Sequence, residues 1–182
     1  MTIGLAMWHE SEILFAIDGS GVPECGTSGK VIGSKLVVVQ TIPKVVMIVG
    51  GGLAHWAEVL NDYKTQPDLG SAATELRRLL TAKTQLGNRA FARVCGFAGA
   101  SAQLVRIDRE KGDAGVSSSG VVAWSRDEPE VIGVRPDAAA HVRSLTTWGC
   151  DPLRAMVVAI QERVDDVDVR LPVHVQSFQC PT

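Results

Sequence analysis

Two short apolar runs open the chain, at residues 2–8 and 13–17, separated by His9-Glu10-Ser11-Glu12. This pattern predicts two strands joined by a tight turn, with Asp18 where the second strand ends. Residues 19–29 hold Gly19, Gly21, Pro23, Gly26 and Gly29 among small polar side chains and read as a loop. Two further β-branched runs, 30–39 and 44–49, flank Gln40-Thr41-Ile42-Pro43 and predict a second hairpin. Four strands in succession favour an antiparallel sheet.

The period changes after Gly50-Gly51-Gly52. Leu53, Trp56, Ala57 and Leu60 fall on one helical face, with Trp56 expected in the core. Pro67-Asp68-Leu69-Gly70 breaks the chain, and Ser71 is the expected cap of a second helix that shares Leu76, Leu79 and Leu80 and closes at Leu86-Gly87-Asn88. Strand character returns at 91–97 and 103–107, followed by a charged turn at 108–113, a small polar loop at 114–120, and strands at 121–124 and 131–134. Pro136-Asp137 opens a third helix. Asp151 with Pro152 opens a fourth, with Leu153, Met156, Val157, Ile160 and Val164 on one face. A strand at 173–178 ends the pattern. Strands, two helices, strands, two helices and a strand make an α+β protein. A four-layer αββα sandwich of two antiparallel sheets lets every apolar face find a partner, and the 182 residues fit a single domain.

Composition narrows the partners. With 46% hydrophobic and 21% charged residues and a net charge of −2, nothing favours nucleic acid or an anionic membrane surface. No apolar run approaches the roughly 20 residues that span a bilayer. Cys25, Cys95, Cys150 and Cys180 form no CxxC pair, and His9, His55, His141 and His174 have no metal-ligand spacing. No metal and no cofactor is expected. Reduced thiols and the absence of a basic leader point to the cytoplasm.

The candidate chemistry lies in the first third. If Met1 is removed, Thr2 carries a hydroxyl nucleophile and an α-amine general base on one residue. Thr2, the Asp18-Gly19 pair, Lys35 and the glycines after a Val/Ile-rich strand resemble the proteasome β-subunit superfamily of N-terminal nucleophile hydrolases, closest to the bacterial proteasome-like proteases. The resemblance covers nearly the whole chain in element order. It implies threonine-type peptidase activity in a self-compartmentalising ring of identical subunits, acting on peptides or unfolded proteins, with an ATP-dependent unfoldase as a partner. It further implies that Lys35 favours the neutral amine, that Asp18 holds Lys35, and that the Gly50 N–H stabilises the oxyanion. Asp166 matches a family aspartate near the last helix, and Ile48 and Gly52 match positions lining the pocket for the side chain before the cleaved bond.

Two departures give the resemblance an alternative outcome. Val134 replaces a family serine that hydrogen-bonds near the nucleophile, and Val167-Asp168-Val169 offers no second serine. The alternative is therefore a catalytically weak or inactive assembly subunit. A weaker one is a nucleotide-binding protein using Gly50-Gly51-Gly52, since a glycine run between a strand and a helix is the setting of a dinucleotide fingerprint. Against it, His55 stands where that motif needs a small residue. Taken singly, Asp18 also reads as a turn former and Lys35 as a solvated edge charge.

Overall fold

The computed structural model describes residues 3–19, 35–51, 53–83, 89–109, 115–133, 137–163 and 172–180. Along the chain they form β1 (Ile3–His9), β2 (Glu12–Ile17), β3 (Leu36–Thr41), β4 (Lys44–Gly50), α1 (Leu53–Asp62), α2 (Leu69–Lys83), β5 (Ala90–Ala98), β6 (Ser101–Arg109), β7 (Ser117–Ser118), β8 (Val122–Ala123), β9 (Pro129–Gly133), α3 (Asp137–Thr147), α4 (Pro152–Gln161) and β10 (His174–Gln179). The chain packs as two compact units, one from Met1–Gly21 with Trp124–Thr182 and the other from Val22–Ala123. Each is an antiparallel sheet carrying a pair of helices.

In the first unit the strand order is β10-β2-β1-β9. The β1–β2 hairpin turns at Glu10, whose φ of 50° lies in the left-handed region, and sets His9 opposite Glu12. Ile3, Leu5, Met7, Leu14 and Ala16 share one face and pack against Ala138 and Val142 of α3 and Ala155, Met156, Ala159 and Ile160 of α4. Ala6, Ile13, Phe15 and Ile17, on the other face, are buried as well. Burial on both faces is why these strands read as unbroken apolar runs instead of alternating ones. In α4, Asp151 is the N-cap as predicted, its carboxylate accepting the Arg154 N–H at 2.9 Å, and Pro152 sits in the first turn. The buried stripe runs through Ala155 and Ala159 and leaves Val157 half-buried. Val164 lies outside the described residues.

In the second unit the order is β3-β4-β5-β6-β7, with β8 also on β6. Val45, Met47 and Val49 of β4 meet Trp56, Val59, Leu76 and Leu80 from α1 and α2 in a second core. Fully burying a side chain of this size contributes about 2 kcal/mol. Three expectations need correction here. The α2 cap is Asp68, not Ser71: the Asp68 carboxylate accepts the Ser71 N–H at 2.8 Å and the Ser71 hydroxyl at 2.9 Å, so the helix starts a turn earlier. Asp108 and Arg109 belong to β6 and not to a charged turn. Arg109 is 3% exposed, and the Asp108 carboxylate takes the Arg93 guanidinium at 2.9 Å, so the ladder continues through both. The small polar stretch contains β7, paired with β6, because the Ser119 hydroxyl accepts the Arg106 N–H and the Ser117 hydroxyl donates to the Asp108 carbonyl.

One polar side chain fastens the β3–β4 hairpin to the α1–α2 connection. The buried Gln40 amide donates to the Pro43 and Gln66 carbonyls, and its oxygen accepts from the Tyr63 hydroxyl and the Gln66 N–H. No helix among the described residues is long and apolar enough to cross a membrane.

Candidate active site

Asp18 and Lys35 are not the solvated groups that their residue types suggest: Asp18 is 2% exposed and Lys35 4%. Asp18 follows β2 directly, and the register of the first hairpin determines what it meets. The partners His9 and Glu12 through Gly4 and Ile17 lie in one regular ladder, so the next position brings Asp18 opposite Ile3. The Asp18 N–H donates to the Ile3 carbonyl at 3.0 Å, and the Ile3 N–H donates to the Asp18 carboxylate at 3.2 Å. Ile3, 1% exposed, also pairs with Gly133 of β9. The residue that follows Thr2 is thus fixed on both sides in a central strand.

Lys35 immediately precedes β3 in the other unit. Its carbonyl accepts the Val49 N–H at 2.8 Å, so the backbone at Lys35 is tied to β4 one residue before Gly50. Successive residues of a strand turn their amides to opposite sides. With the Val49 N–H directed at β3, the Gly50 N–H faces Phe91 of β5, its register partner. The first amide beyond the ladder belongs to Gly51, whose φ is 63°.

Both glycines are required by their surroundings. A Cβ on Gly50 would lie 2.2 Å from the Phe91 ring, and one on Gly51 would lie 2.4 Å from the Arg89 carbonyl oxygen. The close approach at Gly50 is therefore an approach of Phe91, over whose ring the Arg89 guanidinium stands at 5.8 Å from the centroid. Ile48 is fully buried on the face of β4 opposite the helix-packed Met47 and Val49, opposite Leu36 of β3 and Arg93 of β5. Thr2, Gly52 and Asp166 lie outside the described residues, as do Val134 and Val169.

The structure brings together Asp18 with Ile3, and Lys35 with the end of β4. Ile3 and Phe91 are the contacts that residue types alone did not mark. The first was accessible by extending the hairpin register; the second depends on the long-range β4–β5 pairing, for which the sequence holds no local signal.

Among the described residues the histidines and cysteines form no such arrangement. His9 Nδ1 lies 2.6 Å from an Asp127 carboxylate oxygen at the surface, and His141 lies 3.1 Å from Glu162. Cys95 is buried, and Cys150 and Cys180 are half-buried. Among the described residues no group of three metal-ligating side chains converges.

No protein-family model and no curated protein sequence matches the chain. Solved structures do. Anbu, an ancestral beta-subunit, from Yersinia bercovieri superposes with a TM-score of 0.64 at 13% identity, covering 98% of this chain and 81% of that one. HslV from Trypanosoma brucei gives 0.59 at 19% identity, over 98% of this chain and 99% of that one. The Anbu complex from Pseudomonas aeruginosa, solved as a helical assembly, gives 0.64 at 16% identity, over 98% and 81%. Likeness at such identities concerns the backbone path and not the chemistry. With its two antiparallel sheets and four helices in this order, the chain has the fold of the proteasome-type N-terminal nucleophile proteins.

Proposed function

We propose that this chain is a threonine-type endopeptidase whose nucleophile is Thr2, exposed by removal of Met1. The observation that carries the reading is the double hydrogen bond between buried Asp18 and Ile3, which anchors the residue next to Thr2 in a central strand. A turn-forming aspartate at a strand end does not require such burial. The proteasome-type fold supports the same reading.

In this proposal the Thr2 hydroxyl attacks the scissile carbonyl and the Thr2 α-amine takes its proton. An α-amine has an ordinary pKa of about 7.7–8.0, so part of it is neutral near pH 7. The Lys35 ammonium favours that neutral form, and Asp18 keeps the cation in place. The tetrahedral oxyanion needs a backbone donor. Because the ladder turns the Gly50 N–H toward Phe91, that role passes to Gly51, the first amide past the strand. Collapse expels the amine half of the substrate with the proton, and water then hydrolyses the ester on Thr2. Ile48 and Gly52 line the pocket for the preceding side chain and favour an apolar one; Asp166 supports the Thr2 amine from its own segment.

The assembly is a ring of identical subunits in the cytoplasm that admits unfolded chains, with an ATP-dependent unfoldase feeding it. The Anbu complex, solved as a helical assembly, is an example of this fold in a larger assembly. A second reading, an inactive assembly subunit, is favoured by Val134 at the place of the family serine. Intact mass and peptide hydrolysis together separate the two. Loss of one methionine, with hydrolysis that Thr2→Ala abolishes while leaving the oligomer unchanged, supports the peptidase. Retained Met1 and no hydrolysis support the scaffold.

A further inference from the structure

Among the described residues the two sheets have four outer edges, and three of them are protected against pairing with another chain. β9 begins at Pro129 and carries Glu130; β3 is interrupted by a bulge between Val38 and Gln40; β7 is only two residues long. Proline, inward or edge charge, bulges and brevity are the usual means of blunting an edge. β10 has none of them. Its six residues, His174-Val175-Gln176-Ser177-Phe178-Gln179, pair with β2 without a register shift and include no Lys, Arg, Asp, Glu or Pro.

The direction of its free backbone groups follows from one hydrogen bond. The Cys180 N–H donates to the Ser11 carbonyl at 2.7 Å, on the β2 side. By alternation Phe178, Gln176 and His174 also face β2, and Val175, Ser177 and Gln179 turn their N–H and C=O groups outward. Among the described residues no backbone group pairs with those three. Apart from Phe178, which is buried edge-on against Phe15 with ring centroids 5.5 Å apart and holds the strand in place, every residue of β10 is exposed, Val175 at 48%. A row of outward-directed donors and acceptors on an anchored strand recognises an extended chain.

We propose that the occupant is β10 of a second copy, paired antiparallel about a two-fold axis through Ser177. The strand is self-complementary in that register. Val175 meets the Gln179 position of the second copy, Ser177 meets Ser177 and Gln179 meets Val175, which aligns all three outward residues and opposes no like charges. Three such pairs exchange about six backbone hydrogen bonds. The two four-stranded sheets then become one of eight strands. A contact of this kind is isologous and joins copies two at a time; it closes no ring by itself, so it is independent of the contacts a ring needs.

The test is sedimentation of the full chain together with residue-resolved amide hydrogen exchange. The expected result is a mass at least twice that of one chain, with the Val175, Ser177 and Gln179 amides protected in the associated protein. Ser177→Lys and Ser177→Glu each place like charges on the axis and should halve the mass, while an equimolar mixture of the two restores it. Ser177→Pro removes an outward N–H without touching the β2 ladder and should also halve the mass. The proposal is overturned if the wild-type protein sediments as single chains, if the two charged variants keep the wild-type mass, or if those three amides exchange freely in the assembled protein. None of these readouts depends on peptidase activity.

Discussion

Asp18 has two separable jobs, one through its hydrogen bond and one through its charge. Asp18→Asn keeps an oxygen for the Ile3 N–H and should lower peptide hydrolysis. Asp18→Ala strands a buried backbone donor, and urea unfolding should show a loss of about 1–2 kcal/mol as well. Equal activity for Asp18→Asn and the parent protein would remove the charge from the account. Gly51 is constrained differently. An alanine there must adopt a φ of 63° against the Arg89 carbonyl, so Gly51→Ala should destabilise by about 2 kcal/mol in the same measurement. Tyr63 supplies a pH readout, since it is the only tyrosine in the chain. Burial, followed by the nearby Glu75 charge, pushes its hydroxyl from 10.0 up to about 12. A folded-state pKa above the unfolded one means stability that is complete below about pH 10 and is lost as pH rises toward 12. Tyrosinate absorbance should therefore appear near pH 12 in the folded protein and near pH 10 in guanidinium; coincident titrations would contradict the buried position.

At the scale of elements, the helices and the first two hairpins follow from local signals. Asp151-Pro152 predicts the start of α4 because the carboxylate cap accepts one of the unpaired first-turn amides and proline has no N–H to leave unpaired. Asp151→Ala should lower stability by about 1 kcal/mol in urea unfolding. The α2 start was harder to read. Pro67-Asp68-Leu69-Gly70 has a breaker composition, yet Asp68 is a capping carboxylate, and the Ser71 amide, followed by the Ser71 hydroxyl, holds it below its ordinary value. The end of β6 was hidden for a related reason. Asp108 and Arg109 look like surface charges until β5 supplies Arg93 for the aspartate. Such pairings are set by register between distant strands, whereas caps and turns are set within a few residues. Gln40 belongs with them: three of its four hydrogen bonds join the β3–β4 hairpin to residues 63–66, a contact with no sequence signature. Gln40→Leu leaves the Gln66 amide and both carbonyls without partners and should lose about 2 kcal/mol.

At the scale of the whole molecule, the element order was legible because the strands next to the helices are buried on both faces and read as apolar runs, while the helices keep a period of three to four. The order matches solved proteasome-type proteins that share under a fifth of its residues. The functional proposal therefore rests on the resemblance read at Thr2, Asp18 and Lys35 more than on overall similarity. The central claim is that residue 2 is a nucleophile bearing a free amine. The most direct measurement is mass spectrometry after incubation with a peptide epoxyketone, which reacts with a hydroxyl and an amine on the same residue. The account predicts one adduct per chain, mapped to Thr2 and lost in Thr2→Ala. An unmodified N-terminal peptide still carrying Met1, or an adduct on any other residue, would contradict it.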